Sequence, residues 1–133
     1  MAKILLVDDE AHVLNSLARV LGQNYDVYTA ASGAEGLRVL DDQGPFAVII
    51  SDYRMPNMSG AEFLQEARRR CRAIRLMLTG YPELRVAEEA IEKGDVFLFL
   101  AKPCVGPELE EAVRTAVDEY IRSESRRGTP GYA

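Results

Sequence analysis

Five short apolar runs, separated by stretches with helical periodicity, are the feature that most restricts the fold of this chain. Four of the runs are almost continuously hydrophobic, which is typical of strands covered on both faces, and the second is weaker and predicts an edge strand. Strands that alternate with helices over short loops predict a parallel sheet with helices on both faces. The runs are residues 3–7, 26–30, 46–51, 74–79 and 96–101.

The segments between the runs carry signals for the ends of helices. Ser32 and Ser59 stand where they can cap the second and third helices, because a serine hydroxyl can accept a hydrogen bond from a free amide of the first turn. Pro82 and Pro107 are placed to open the fourth and fifth helices, where a missing amide hydrogen costs little. The pattern therefore predicts five helices to accompany five strands.

The composition is that of one globular domain. The chain has 133 residues, of which 47% are hydrophobic and 28% are charged, and a domain of this size can bury a hydrophobic core. Helical periodicity is lost after Arg122, where Gly and Pro become frequent. We therefore expect a domain over residues 1–122 and a flexible tail or linker remnant over residues 123–133.

Charge, cysteine and histidine content disfavour several classes of function. The net charge of −5 leaves no basic surplus to neutralise nucleic-acid phosphates. Cys71 and Cys104 are too few for a disulfide framework or a zinc cage, and His12, the only histidine, has no histidine partner for a metal site. No apolar run is long enough to span a bilayer, and the N-terminus lacks a signal-peptide pattern, so we expect a cytoplasmic protein without membrane contacts.

Charged and hydroxyl residues stand at the carboxyl ends of four predicted strands. Asp8 and Asp9 follow the first strand, Asp52 follows the third, and Thr79 and Lys102 close the fourth and fifth. In open α/β sheets, ligands bind at the edge where these strand ends meet. Clustered carboxylates suit Mg²⁺, which prefers oxygen ligands and offsets their repulsion. A carboxylate can also attack a phosphoryl group while a cation and a hydroxyl stabilise the charge on its oxygens.

The chain closely resembles the receiver domains of two-component response regulators, over residues 3 to about 122. The resemblance implies a flavodoxin-like, doubly wound α/β fold of CheY type, with a five-stranded parallel sheet of order 2-1-3-4-5 and five helices. It also implies a signalling domain rather than a metabolic enzyme, with self-phosphorylation and self-dephosphorylation as its only activities. The matching segments are LLVDDE at 5–10, ISDYRMPNMSG at 50–60, LTG at 78–80 and FLAKP at 99–103.

The resemblance assigns roles to the residues at the strand ends. Asp52 would accept the phosphoryl group, Lys102 would pair with it, and Thr79 would donate its hydroxyl to it in the active state. The Lys102–Pro103 peptide bond is expected to be cis, which costs an X–Pro bond only about 0.5–1 kcal/mol. Gly60 would let the loop after Asp52 turn close to the site. Mg²⁺, or Mn²⁺ in its place, would be bound by Asp8, Asp9, Asp52 and the backbone carbonyl of Arg54.

Phe99 matches the aromatic switch position of the family. Its ring would turn inward when Thr79 moves toward the phosphoryl group, and this would reshape the face made by the fourth helix, fifth strand and fifth helix. The alternative is that Phe99 is a core residue. Arg54 and Tyr81, two residues beyond Asp52 and Thr79, would tune the lifetime of the phosphoryl group, and the large ring of Tyr81 predicts slow self-dephosphorylation.

The expected partners also follow from the resemblance. A sensor histidine kinase or phosphotransfer protein would donate the phosphoryl group, and a downstream effector or an output domain would respond, with a phosphorylation-dependent homodimer as a family tendency. The chain would be either a stand-alone regulator or a fragment of a longer one. A phosphatase of the aspartyl-phosphate type is disfavoured because Arg54 replaces the usual acid/base Asp. A scaffold-only receiver is disfavoured by the complete site, and a flavodoxin by the acids after the first strand.

Overall fold

Strands and helices alternate along the whole described part of the chain. A computed structural model describes residues 1–80, 84–104 and 106–127. The strands are β1 (Lys3–Val7), β2 (Asp26–Ala30), β3 (Val48–Asp52), β4 (Ile74–Thr79) and β5 (Leu98–Ala101). The helices are α1 (Ala11–Leu21), α2 (Gly33–Gln43), α3 (Gly60–Arg70), α4 (Leu84–Gly94) and α5 (Gly106–Arg127).

The five strands form one parallel sheet in the order β2-β1-β3-β4-β5. This order confirms the predicted flavodoxin-like arrangement, and the weak second run is an edge strand as expected. β1, β2 and β4 have the predicted bounds, whereas β3 and β5 begin later than predicted. Phe46, at the predicted start of β3, is only 1% exposed, so hydrophobicity there indicates burial rather than strand pairing.

Side chains of β1 divide the core into two layers. Ile4 and Leu6 pack into a cluster with apolar residues of α1 and α5. Leu5 and Val7 pack on the opposite face of the sheet, in a cluster with residues of α2 and α3. All four side chains are at most 1% exposed. This two-sided burial explains why the first run is hydrophobic throughout rather than alternating.

The fifth run is not covered on both faces, and that part of the prediction is wrong. β5 lies at the edge of the sheet, where Leu98 and Leu100 are half-buried and pack against the layer of α1 and α5. Phe99 points to the other face and is 36% exposed, and the preceding Phe97 is 42% exposed. The alternative that Phe99 is a core residue is therefore also wrong.

The predicted helix caps of α2 and α3 are present. Ser32 Oγ accepts a hydrogen bond from the Glu35 amide at 3.1 Å. Ser59 and Glu62 form a reciprocal capping box, with bonds of 3.1 and 2.9 Å between each side chain and the other's amide. Pro82, predicted to open the fourth helix, lies outside the described residues. The cap at Ser59 starts α3 directly after the loop that follows Asp52, which limits the freedom of that loop.

α5 continues beyond the predicted end of the domain. It runs through Arg127, so it includes residues 123–127, which the sequence places in a tail. An ion pair of 3.5 Å between Arg72 and Glu124 holds this last part of the helix against the loop before β4. Within the described ranges, none of the helices has the length and apolar character that a membrane span requires.

Candidate functional site

Four strand ends converge at one edge of the sheet, as the sequence predicts. β1, β3, β4 and β5 are neighbours or near neighbours in the sheet, so the residues at their carboxyl ends face one another. The result is an open cleft beside the buried Asp8. The cleft is lined by Asp9, Glu10, Asp52, Arg54, Thr79, Gly80 and Lys102.

Three carboxylates at this edge form a group that can hold a metal ion. Asp8, Asp9 and Asp52 each offer one oxygen, and these oxygens lie within 4.8 Å of one another. Asp8 is 1% exposed and Asp52 is 5% exposed, whereas Asp9 is open to solvent. Asp8 Oδ2 is buried and accepts no hydrogen bond within the described part of the chain. Carboxylates this close repel one another, so the group fits a divalent cation that prefers oxygen ligands.

Lys102 places a positive charge among the three carboxylates. Its Nζ lies 3.1 Å from Asp8 Oδ2, without hydrogen-bond geometry, and 3.2 Å from Asp52 Oδ1. Burial lowers the pKa of Lys102, but the carboxylates of Asp8 and Asp52 outweigh that effect and raise it above the ordinary value. The side chain therefore stays protonated and offsets part of the negative charge.

A backbone hydrogen bond places Lys102 beside β4. Its amide donates a hydrogen bond of 3.0 Å to the carbonyl of Thr79, which extends the pairing of β4 and β5 past the end of β5. The Lys102–Pro103 peptide bond is cis, and the Gly44–Pro45 bond, for which we made no prediction, is cis as well. The main chain of Lys102 is thus hydrogen-bonded to the end of β4, which carries Thr79.

Asp52 is an acid in an unfavourable environment. Its pKa is raised from 3.8 to about 6, chiefly by burial and also by the charge of Asp8, while Lys102 opposes the shift. Near neutral pH and without metal the carboxylate is ionised, but at a cost in folding free energy. Such a cost is common where a site is built for charge chemistry rather than for stability.

Replacing Asp52 by Asn is expected to stabilise the protein in the presence of EDTA by about 1–3 kcal/mol at pH 7.5. Well below pH 3.8 the carboxyl is protonated in both the folded and unfolded states, so its burial carries no ionisation cost. As the pH rises through 3.8 to about 6 the unfolded state ionises first, and stability is lost. The gain in the variant should therefore shrink as the pH falls from 7.5 to 5, measured by urea unfolding at each pH.

The control for this prediction is Asp42→Asn, which neutralises an exposed acid on α2. Its unfolding free energy should stay within about 0.5 kcal/mol of the wild-type value at each pH. Equal stability of Asp52→Asn and wild type at pH 7.5 would show that the buried charge carries no folding cost.

Gly60 allows the loop after Asp52 to return to the site, and the reason is close approach rather than a positive φ angle. A Cβ at this position would lie 2.1 Å from the carbonyl oxygen of Asp52. The Gly60 amide donates a hydrogen bond of 2.7 Å to the carbonyl of Tyr53. Asn57 supplies the turn with a φ of 71°. The loop therefore packs against the main chain that carries Asp52.

The remaining predicted residues have different settings. Thr79 is 2% exposed and lines the cleft together with Arg54. Phe99 lies on the exposed face of β5, and Tyr81 lies outside the described residues. His12 has a side chain that is 80% exposed, with Nε2 3.7 Å from Glu10 Oε2, so it is a surface residue. The roles assigned to these residues in phosphoryl chemistry stay predictions.

Sequence reasoning missed one member of the site. Glu10 Oε1 lies 3.4 Å from Lys102 Nζ, so this third acid of the first motif shares the lysine with Asp8 and Asp52. Its place directly after two strand-end acids was a usable signal. The direction of its side chain, however, depends on α1, because Glu10 is the residue that precedes the first turn of that helix.

Comparisons with known proteins agree with this geometry. The family model described as response regulator receiver domain matches residues 4–114. The chain is 37% identical over 128 residues to the transcriptional regulatory protein GlrR of Escherichia coli. It is 34% identical over 118 residues to the hydrogenase transcriptional regulatory protein HoxA of Cupriavidus necator. These alignments cover 95% and 88% of this chain but 28% and 24% of the relatives, so the chain spans about a quarter of their length.

Solved structures give the same picture. A structure described as adenylate cyclase from Rhodopirellula baltica matches with a TM-score of 0.91 and 39% identity, and the match covers 98% of each chain. A CheY-like response regulator receiver domain protein from Methanospirillum hungatei matches with a TM-score of 0.86 and 28% identity, covering 92% of this chain and 98% of that chain.

Proposed function

Since the chain belongs to the response regulator receiver domain family of two-component systems, we propose that it accepts a phosphoryl group on Asp52 in a Mg²⁺-dependent reaction. The donor is a sensor histidine kinase or a phosphotransfer protein. In this proposal residues 1–122 carry the phosphoacceptor function, residues 123–133 contribute nothing to it, and the domain works in the cytoplasm. The domain is a signalling switch, and its chemistry is limited to gaining and losing its own phosphoryl group.

The observation that carries the proposal is the environment of Asp52. Its side chain is 7% exposed, so only a small part of the carboxylate opens into the cleft. Lys102 Nζ lies 3.2 Å from Oδ1, and the oxygens of Asp8 and Asp9 are within 4.8 Å of the carboxylate oxygen. An isolated structural acid does not need two further acids and a shared lysine.

The chain's own groups account for most of the proposed reaction. A carboxylate oxygen of Asp52 forms the new bond to phosphorus, and the bond between phosphorus and the donor nitrogen or oxygen breaks. The donor leaves with that electron pair. Lys102 and the hydroxyl of Thr79 stabilise the charge on the phosphoryl oxygens. Mg²⁺, held by Asp8, Asp9, Asp52 and the backbone carbonyl of Arg54, would supply the positive charge that offsets the repulsion between the carboxylates and the phosphoryl group.

Intact mass spectrometry after incubation with acetyl phosphate tests the proposal. With Mg²⁺ the protein should gain the mass of one phosphoryl group, and with EDTA it should gain none. Folded protein that binds Mg²⁺ but gains no mass, from acetyl phosphate or from a histidine kinase, would contradict the proposal. The chain would then be an interaction scaffold that retains the site without using it.

Replacing Lys102 by Met is expected to slow phosphoryl uptake by about 10²-fold. The variant keeps the length of the side chain but removes the ammonium group that lies 3.1–3.2 Å from Asp8 and Asp52. The rate is measured by intact mass against time at saturating Mg²⁺. Lys3→Met is the matched control, because Lys3 lies at the opposite end of β1 and donates to the carbonyl of Gln43. Equal rates of phosphoryl uptake in the two variants would show that Lys102 takes no part in the reaction.

We further propose that phosphorylation changes the face made by α4, β5 and α5. Thr79 closes β4 beside β5, and exposed apolar side chains are present at Ile91 on α4, at Phe99 on β5 and at Phe97 just before β5. Inward rotation of Phe99 would remove one of them from the surface. The phosphoryl lifetime is set in this proposal by Arg54 and Tyr81. A downstream effector, an output domain or a second copy of the chain would respond to the altered face.

A further inference from the structure

A hydrogen bond connects the residue after Asp52 to α4. Tyr53 Oη donates to Glu89 Oε1 at 2.9 Å, across 36 positions of sequence. Tyr53 is half-buried, and the bond to the Glu89 carboxylate raises the pKa of the phenol. The phenol therefore stays protonated and remains a donor at neutral pH. The bond spans the distance between the end of β3 and the middle of α4.

The main chain of Tyr53 lies beside the phosphoacceptor site but is not part of it. Its amide donates a hydrogen bond of 3.0 Å to the carbonyl of Leu78, next to Thr79. Its carbonyl accepts a hydrogen bond of 2.7 Å from Gly60, at the start of α3. Asp52 precedes it and Arg54 follows it. Any ligand that acts on those two neighbours therefore acts on the peptide groups on either side of Tyr53.

The C-terminal end of α4 is anchored separately. Arg75 Nε donates to the carbonyl of Gly94 at 2.7 Å, and its Nη2 lies 3.3 Å from Asp95 Oδ2. The Arg75 side chain is only 12% exposed, and its Nη1 donates to the carbonyl of Ala73 at 2.8 Å. A Cβ on Gly94 would lie 2.9 Å from Leu64 Cβ, so α4 also approaches α3 closely at this end. This end of the helix cannot shift without breaking several contacts.

We propose that the hydrogen bond between Tyr53 and Glu89 couples the occupancy of the phosphoacceptor site to the position of α4, with the Arg75 contacts as the fixed end of the helix. The inference rests on the proposed function and names a route by which that site acts on α4. Displacing the Tyr53 main chain carries the phenol with it and lengthens or breaks the bond to Glu89. α4 then keeps the Arg75 contacts at its C-terminal end but loses the bond from Tyr53 to Glu89. The helix can therefore adopt two positions.

Tyr53 and Glu89 are positioning residues in this proposal, because neither contacts the phosphoryl group. The coupling is reciprocal, so the position of α4 also affects how strongly the site holds its ligands. A purely structural role would give a different result. Removing a bond that only stabilises the fold would change the hydrogen-exchange rate of α4 equally in the empty and occupied states.

Hydrogen exchange of the α4 peptide tests the coupling. Exchange is measured on the full chain with EDTA and then with Mg²⁺ and beryllofluoride, a phosphoryl analogue. The variants are Tyr53→Phe, which keeps the ring, and Glu89→Ala, which keeps a good helix former. The matched controls are Tyr28→Phe, on β2, and Glu92→Ala, which removes an exposed acid from α4 itself. Intact mass after reaction with acetyl phosphate is recorded for each protein.

In the wild type and both controls, occupancy of the site should change the exchange rate of α4 amides. In Tyr53→Phe and Glu89→Ala that change should be roughly two- to ten-fold smaller, while phosphoryl uptake is retained. Normal uptake together with a wild-type response of α4 in both variants would overturn the coupling alone. The coupling is also overturned if α4 of the wild type does not respond although the site is occupied. Absence of uptake in the wild type would overturn the proposed function, and the coupling with it.

Discussion

The Asp52→Asn variant is expected to gain no phosphoryl group from acetyl phosphate under conditions in which the wild type is modified. The amide keeps the shape of the side chain but is too weak a nucleophile to form a bond to phosphorus. It also removes one of the three carboxylates of the acidic group. The measurement is intact mass after incubation at saturating Mg²⁺, with the unmodified fraction followed over time.

Loss of folding cannot account for this result, because the same substitution relieves a buried charge and is expected to raise the stability of the metal-free protein. Asp42→Asn, which changes an exposed acid in the same way, should be modified like the wild type. Modification of Asp52→Asn at the wild-type rate would place the acceptor elsewhere in the chain.

Replacing Gly60 by Ala should lower the free energy of unfolding by about 3 kcal/mol or more. The new Cβ would lie 2.1 Å from the carbonyl oxygen of Asp52 and 2.9 Å from Cα of Tyr53. Both are main-chain atoms held by hydrogen bonds, so they cannot turn aside as a flexible side chain could. The backbone must shift instead, either at the end of β3 or at the start of α3. Urea unfolding with EDTA present gives the change in free energy.

Gly106→Ala is the matched control for this prediction. A Cβ at Gly106 would be 3.9 Å from Glu110 Oε1 and 4.0 Å from Val20 Cγ1, which are ordinary contact distances. At the start of α5 an alanine should leave the stability unchanged or raise it by up to about 1 kcal/mol. A similar, small effect of both substitutions would mean that the loop after Asp52 can move away from the site without cost.

The sheet and the convergence of its strand ends could be predicted because both follow from simple periodicity. The hydrophobic runs of β1 and β4 report burial on two faces, and the parallel order of strands brings Asp8, Asp52 and Lys102 to the same edge. Lys102 and Asp8 are far apart in sequence, but the order of the parallel strands brings both residues to the same edge of the sheet.

β5 shows where this reasoning fails. Its four residues are as hydrophobic as those of a central strand, but the strand has a neighbour on one side only, and Phe99 and Ala101 are exposed. A run of hydrophobic residues looks the same in a strand that is buried on both faces and in an edge strand with one exposed apolar face. The sequence cannot distinguish these cases, because the difference lies in how many layers the rest of the chain provides.

The contacts around α4 could not be predicted for a different reason. The hydrogen bond from Tyr53 to Glu89 and the anchor formed by Arg75 depend on the placement of a helix relative to side chains on other elements. Neither pair is adjacent in sequence or part of a repeating pattern. The same holds for the pKa of Asp52, which reflects burial and the distance to Asp8 rather than any property of the local sequence.

The most direct test of phosphoryl acceptance is the location of the modified residue. Wild-type protein is treated with acetyl phosphate and Mg²⁺, the acyl phosphate is reduced with borohydride, and the digested chain is sequenced by mass spectrometry. The reduced residue should be Asp52, and no other carboxylate should be reduced. Reduction at Asp8 or Asp9 instead, or a phosphoryl group on a hydroxyl that borohydride does not reduce, would contradict the assignment of Asp52 as the acceptor.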